Sequence, residues 1–399
     1  MKGVIKMLIS VSVILLSGFL SGWVCEKVKF PGLFGMIIAG ILIGPGALSL
    51  IGPSVLNISS DLRRIALIII LIRAGLKLDL SDLKKVGRPA VLMCFVPACF
   101  EIVGMTLLAP RILGISALDA AIMGAVVGAV SPAVIVPRMI ALIDGGYGVA
   151  KSVPQMILAG ASVDDVFVIV LFTTFTGLAQ GGEVSVAKFV LIPVSILTGS
   201  LTGLALGRLF AAFFRRFHFR DSKKVVALMG ISIALVAFED ALSEKIPFAS
   251  LIAVMCVGIA IKKSGNILAA RLSGKFDRLW VPAEIFLFVL VGASVEIRAM
   301  VSAGFSMVAL IFGVLLFRML GVFACLIHTN LNLREKLFCM IAYTPKATVQ
   351  AAIGGIPLAM GLSCGMVTLT VSVLAILITA PVGAFAIDLT YKVLLKDNA

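Results

Sequence analysis

The stretch Gly160-Ala161-Ser162-Val163-Asp164-Asp165-Val166-Phe167-Val168-Ile169-Val170-Leu171 sets two carboxylates side by side in an otherwise apolar run. That run covers residues 152–178, and similar runs precede and follow it. Each is roughly 20 residues long, enough to cross a hydrocarbon core of about 30 Å at ~1.5 Å per residue. Hydrophobic residues make up 61% of the 399-residue chain and charged residues only 14%. A soluble domain lies nearer about half and about a quarter. The chain therefore reads as an all-α polytopic membrane protein.

Thirteen candidate spans follow from the apolar runs: 4–23, 32–51, 62–78, 88–110, 118–141, 152–178, 186–212, 224–242, 247–262, 280–297, 304–328, 336–358 and 365–391. Residues 4–23 begin beside Lys2 and Lys6, as a signal peptide would. The run is long and lacks a small-residue cleavage site, so it is read as the first span. Most of the Lys and Arg residues lie in loops after odd-numbered spans, as in Lys84-Lys85, Arg215-Arg216, Lys223-Lys224 and Lys262-Lys263. This asymmetry places the N-terminus outside and the C-terminus in the cytoplasm of a cell-membrane protein.

The net charge of +14 does not indicate nucleic-acid binding. The bases lie in short clusters between apolar runs, where they orient helices and touch anionic lipid. The seven cysteines form no Cys-x-x-Cys pair and lie in or beside apolar runs, as small buried hydrophobes do. His218 and His328 fall near span ends and read as interfacial residues.

The two halves resemble each other. Ser131-Pro132-Ala133 in the fifth span matches Thr344-Pro345-Lys346 in the twelfth. Leu71-Ile72-Arg73-Ala74-Gly75 in the third matches Leu290-Val291-Gly292-Ala293-Ser294 in the tenth, and Ile37-Ile38-Ala39-Gly40-Ile41 in the second matches Leu251-Ile252-Ala253-Val254-Met255 in the ninth. Each partner lies seven spans later, and an odd offset makes the copies cross in opposite directions. This is the inverted repeat of many secondary transporters.

Pro132 and Pro345 stand at equivalent places in the two copies. Proline removes a backbone donor and clashes with the preceding turn. Such a break persists at membrane depth where the freed backbone lines a cavity or meets protein partners. The fifth and twelfth spans are therefore expected to be broken helices beside a binding site. Ser131, at the first break, is a candidate ion ligand. A pair of kinks that serve only packing is the bland alternative.

Asp164 and Asp165 lie about a dozen residues into their span, roughly 18–20 Å deep at 1.5 Å per residue. A buried carboxylate is costly unless paired, metal-bound or protonated. A carboxyl in that setting releases a proton and takes a hard cation in its place. Both aspartates are thus candidate sites for a hard cation and for the proton. Nearby depth is reached by Glu101, Arg318 and Lys346. The expected arrangement pairs Glu101 with Arg318 and leaves Lys346 closest to Asp164, with the swapped pairing open. Asp79, Asp119, Glu239, Asp240 and Glu296 fall near span ends and read as solvated.

At these residues the chain resembles a known family. Ala161-Ser162-Val163-Asp164-Asp165 resembles the twin-aspartate motif of bacterial sodium/proton antiporters. Arg73-Ala74-Gly75-Leu76-Lys77-Leu78-Asp79, Ala129-Val130-Ser131-Pro132-Ala133-Val134, Leu377-Ile378-Thr379-Ala380-Pro381 and the stretch from Pro345 to Gly354 resemble the NHA branch. The resemblance implies the inverted-repeat sodium/proton antiporter fold with two crossing broken helices. It also implies a homodimer. Residues 1–86 (spans 1–3) and 221–298 (spans 8–10) would form the dimerisation domain. Residues 87–185 (spans 4–6) and 299–399 (spans 11–13) would form the ion-binding core, with 186–220 as a linker helix. Asp165 would carry the ion and the proton, with Asp164 its neighbour, and the core would move like an elevator. In electrogenic relatives a lysine before the second broken helix pairs with the first aspartate, and Arg318 stands at that place here.

Sodium or lithium exchange for protons is the leading expectation, with no cofactor beyond the transported ions. Alternatives are a potassium/proton antiporter and a sodium-coupled symporter of a small organic acid. An enzyme is not expected. An intramembrane aspartyl protease needs aspartates facing each other from two helices. Here they are consecutive and about 100° apart on one helix. No phosphate loop or metal-ligand cluster appears.

Overall fold

A computed structural model describes residues 2–77, 87–180, 186–217, 219–242, 248–295 and 304–395. Every regular element among them is helical: α1 (Lys2–Lys27), α2 (Gly32–Ile43), α3 (Pro53–Leu56), α4 (Ser59–Lys77), α5 (Arg88–Met93), α6 (Val96–Leu113), α7 (Ala117–Val127), α8 (Pro132–Asp144), α9 (Val153–Gln180), α10 (Val186–Arg216), α11 (Asp221–Leu242), α12 (Ser250–Ser264), α13 (Asn266–Ala293), α14 (Gly304–Cys325), α15 (Leu333–Ala342), α16 (Thr348–Ile353), α17 (Ile356–Ala359) and α18 (Gly365–Leu394). Among the described residues, seven segments are long and apolar enough to cross a membrane. The second expected span, 32–51, is helical only as far as Ile43.

The fourth span differs from expectation. It is not one helix but α5 and α6, which part at Cys94 and Phe95. Pro97 in the first turn of α6 is the cause: proline lacks an N–H for the preceding turn and disfavours helical geometry in the residue before it. The fifth span breaks between Val127 and Pro132, where Pro132 takes the first helical position of α8. The twelfth breaks between Ala342 and Thr348, around Pro345. Local caps define the outer ends. Ser116 accepts the Asp119 N–H at the start of α7. Asn332 and Glu335 form a reciprocal capping box on α15.

Two compact units partition the chain. The first holds residues 1–60, 81–179 and 285–399, and the second holds 61–80 and 180–284. In the first, α6, α7, α14 and α18 bury Met105, Met123, Leu310, Val314 and Val371. Beside them Met93, Ile157, Phe338 and Tyr343 form another apolar cluster. The second unit is organised by α10 against α12.

Close helix approaches reproduce the repeat inside each unit. In the first, a Cβ on Gly40 of α2 would overlap the Val289 carbonyl of α13, and one on Gly292 would overlap the Ile37 carbonyl. In the second, a Cβ on Gly75 of α4 would overlap the Met255 carbonyl of α12. These helices are the second, tenth, third and ninth spans. The seven-span offset maps the second onto the ninth and the third onto the tenth. One glycine contact is therefore the counterpart of the other. Small residues permit this backbone contact, which dispersion rewards between helices in lipid.

Candidate functional site

The two breaks meet. The Ser131 N–H, at the start of α8, donates to the Pro345 carbonyl at 2.8 Å. Gln350 of α16 donates through Nε2 to the carbonyls of Val127 (3.0 Å) and Ala129 (2.9 Å). The Lys346 N–H donates to Thr379 Oγ1 of α18 at 2.9 Å. The backbone groups released by the prolines thus find partners in the opposite broken helix or in α18, as burial demands.

Four charged side chains, all fully buried, cluster at this crossing: Glu101, Asp164, Arg318 and Lys346. Arg318, from the middle of α14, reaches four acceptors. Nη2 donates to Asp164 Oδ2 at 2.7 Å and Nη1 to Glu101 Oε2 at 2.7 Å. Nη1 also donates to the Gly128 carbonyl, and Nε to the Tyr343 carbonyl at 2.6 Å. The guanidinium carbon lies 5.4 Å from the centre of the Tyr343 ring. Lys346 Nζ donates to Glu101 Oε2 at 2.5 Å. Asp164 Oδ2 accepts a further bond from the Val130 N–H at 2.8 Å.

The expected Glu101–Arg318 pair is present. Of the two pairings left open for Lys346, the swapped one is seen: Arg318 is the side chain paired with Asp164, and Lys346 pairs with Glu101 rather than lying closest to Asp164. The planar fork of an arginine explains this. It can serve two carboxylates and two carbonyls in different directions, whereas an ammonium is a compact point donor.

With two carboxylates and two cations, the cluster is formally neutral. Asp165 stands outside it. Its side chain is partly buried, and its Oδ1 has no protein hydrogen-bond partner. Asp164 Oδ1 and Ser131 Oγ are likewise buried without one. Buried polar atoms are nearly always satisfied, so each of these three unpaired oxygens, two on α9 and one at the residue before α8, is free to take a proton or to ligate a hard cation. Pro132 and Pro345 act through the backbone they free.

Sequence reasoning passed over Gln350, Thr379 and Tyr343. Gln350 and Thr379 lie in the stretches that carry the family resemblance, and Gln350 stands one turn beyond the second break, but neither was given a role. Among the outlying acids, Asp119 accepts from Ser116 Oγ at 2.8 Å. Glu239 is not simply solvated, since it accepts from Ser250 Oγ. Asp79 and Glu296 lie outside the described residues, as does the side chain of Asp240.

The family described as "Sodium/hydrogen exchanger, transmembrane" matches residues 13–392. The chain is 34% identical over 374 residues to sodium/hydrogen exchanger 9B2 of Homo sapiens, covering 90% of this chain and 68% of that protein. It is 31% identical over 417 residues to sodium/hydrogen exchanger 9B2 of Xenopus tropicalis, covering 98% and 75%. Among solved structures, the sodium proton antiporter MjNhaP1 of Methanocaldococcus jannaschii, at pH 8, superposes with a TM-score of 0.84 at 20% identity. That alignment covers 98% of this chain and 99% of the other, and at this identity it speaks for the fold alone.

Proposed function

The chain belongs to the sodium/hydrogen exchanger family, and from that premise we propose that it exchanges sodium or lithium for protons across the cell membrane, with Asp165 as the carrier. The observation that carries the reading is the charge balance of the site. Glu101, Asp164, Arg318 and Lys346 neutralise one another, which leaves Asp165 as the carboxyl without a cation. A proton on Asp165 makes the site neutral. Its departure leaves one negative charge at depth, and one monovalent cation restores neutrality. Proton and cation therefore compete for one place, with Asp164 Oδ1 and Ser131 Oγ as the neighbouring oxygen ligands.

This arrangement supports electroneutral exchange of one cation for one proton. Arg318 does not titrate in proteins, so its bond to Asp164 removes that carboxyl from proton traffic. In this reading the alternating step is an elevator movement of residues 87–185 and 299–399 against residues 1–86 and 221–298, the latter joined in a homodimer. The stretch from Pro345 to Gly354 supports placement in the NHA branch. The bias of Lys and Arg supports an outer N-terminus and a cytoplasmic C-terminus.

Reconstitution into proteoliposomes tests the reading. Sodium added to wild-type vesicles is expected to dissipate an imposed pH gradient, and Asp165→Asn is expected to abolish that response. Sodium, lithium and potassium run in parallel define the cation. Robust exchange by Asp165→Asn would sink the carrier assignment. A transport current on solid-supported membranes that tracks turnover would overturn the electroneutral ratio.

A further inference from the structure

The extended segment between α7 and α8 is held at every step. The Val127 carbonyl accepts from Gln350, the Gly128 carbonyl from Arg318, and the Ala129 carbonyl from Gln350. The Val130 N–H donates to Asp164 and the Ser131 N–H to Pro345. Gln350 alone supplies two of these five bonds. It binds the carbonyls that flank the one held by Arg318, next to the N–H that binds Asp164.

The chemistry of this position is narrow. Two carbonyl oxygens need two N–H donors from one point. Lysine and arginine have them but carry charge, and the four-member cluster is already balanced. Asparagine has them on a side chain one methylene shorter. Glutamine is the neutral donor of this reach. The amide orientation is decided by the same partners, since the flipped amide would set an oxygen against two carbonyls. The reversed face, Gln350 Oε1, is buried without a protein hydrogen bond. An unsatisfied buried acceptor costs free energy, and the side chain is 1% exposed. Retaining it there indicates that the two donated bonds matter more than the acceptor left over.

We propose that Gln350 is a positioning residue for cation exchange: by fixing the segment from Val127 to Ala129, it aims the Val130 N–H at Asp164 Oδ2 and so sets the Asp164 carboxylate beside Asp165. The role rests on the antiport reading above. It acts on cation binding rather than on the movement of the core, so its loss shows in the KM for sodium before kcat.

Two variants test it, each with sodium titrations in proteoliposomes across a pH series. Gln350→Met keeps the length and removes both donors. Its KM for sodium is expected to rise about tenfold, the equivalent of one hydrogen bond to a charged group, with kcat within about twofold of wild type. Gln350→Glu keeps the shape and one donor only while protonated. Its KM is expected to lie near wild type in acid and to climb as pH rises, against the fall that proton competition imposes on the wild type. A folded Gln350→Met with a wild-type KM would overturn the proposal. If Gln350→Met does not fold, a Gln350→Glu profile parallel to wild type would overturn it as well. Absence of sodium-driven proton flux in the wild type would instead refute the antiport reading.

Discussion

The Glu101–Arg318 pair invites a charge swap, and the structure predicts that the swap fails. Reversing an isolated buried pair restores its attraction. Here Arg318 serves four acceptors at once: Glu101, Asp164 and the carbonyls of Gly128 and Tyr343. Arg318→Glu would face a carboxylate toward Asp164 and toward two carbonyl oxygens. Glu101→Arg would bring a guanidinium against Lys346 in place of its present partner. Removing Arg318 alone, as in Arg318→Met, leaves a buried carboxylate unpaired, at a cost of about 3–5 kcal/mol. Each carbonyl left without a donor adds about 1–3 kcal/mol, and neighbours that share a network do not add simply. The single variant is therefore destabilised by at least about 3 kcal/mol, and the double swap by no less. At this chain length roughly 1–2 °C accompanies each kcal/mol, so at least about 3–6 °C of melting temperature is at stake. Thermal unfolding of purified wild type, both single reversals and the double reversal reads it. A double reversal within about 2 °C of wild type would refute the four-acceptor account.

Asp165→Asn is expected to abolish exchange while keeping or raising the melting temperature, because Asp165 has no cation to lose; a large loss of stability in the same thermal assay would count against its place outside the balanced cluster. Gly160→Ala would drive a Cβ into Tyr343 Oη and close to Met93 Cβ, a cost of about 1–3 kcal/mol from overpacking. The Tyr343 carbonyl also supports Arg318, so reduced transport should accompany the lower melting temperature, and an unchanged variant would contradict the packing. At the first turn of α11, the guanidinium of Arg271 from α13 holds the Asp221 carboxyl below its ordinary range. A depressed carboxylate stabilises fully above its unfolded value of about 3.9 and loses the contribution as pH falls through the lower folded value. Asp221→Asn should therefore be less stable than wild type above about pH 4 and converge on it in stronger acid, and curves that coincide above about pH 4 would show that the pair contributes nothing.

The glycine contacts show how far pattern reaches. Gly40 and Gly75 are embedded in matched apolar stretches, and the odd span offset already implied an inverted relation. The fold then pairs the second span with the tenth and the third with the ninth. Pattern identified the repeat but not which members touch. The fourth span shows the opposite case. Its apolar run is continuous, and the break at Cys94 and Phe95 follows from Pro97, a local signal that hydropathy averages away.

Hydropathy and helix rise determine depth along the membrane normal. From that one coordinate the sequence places Asp164, Asp165, Glu101, Arg318 and Lys346 at one level, beside two breaks made by Pro132 and Pro345. Depth says nothing about neighbours within the plane. The charged groups come from α6, α9, α14 and the link after α15, segments as much as 245 residues apart. Which cation meets which carboxylate depends on helix rotation, on side-chain direction and on the number of donors each head can aim. Only the tertiary structure decided that Arg318 spans Glu101 and Asp164, that Lys346 turns to Glu101, and that Gln350 holds the first break. The reason is physical: a buried charge takes the partner whose geometry satisfies the most lone pairs, and those lone pairs are assembled only when the two broken helices cross.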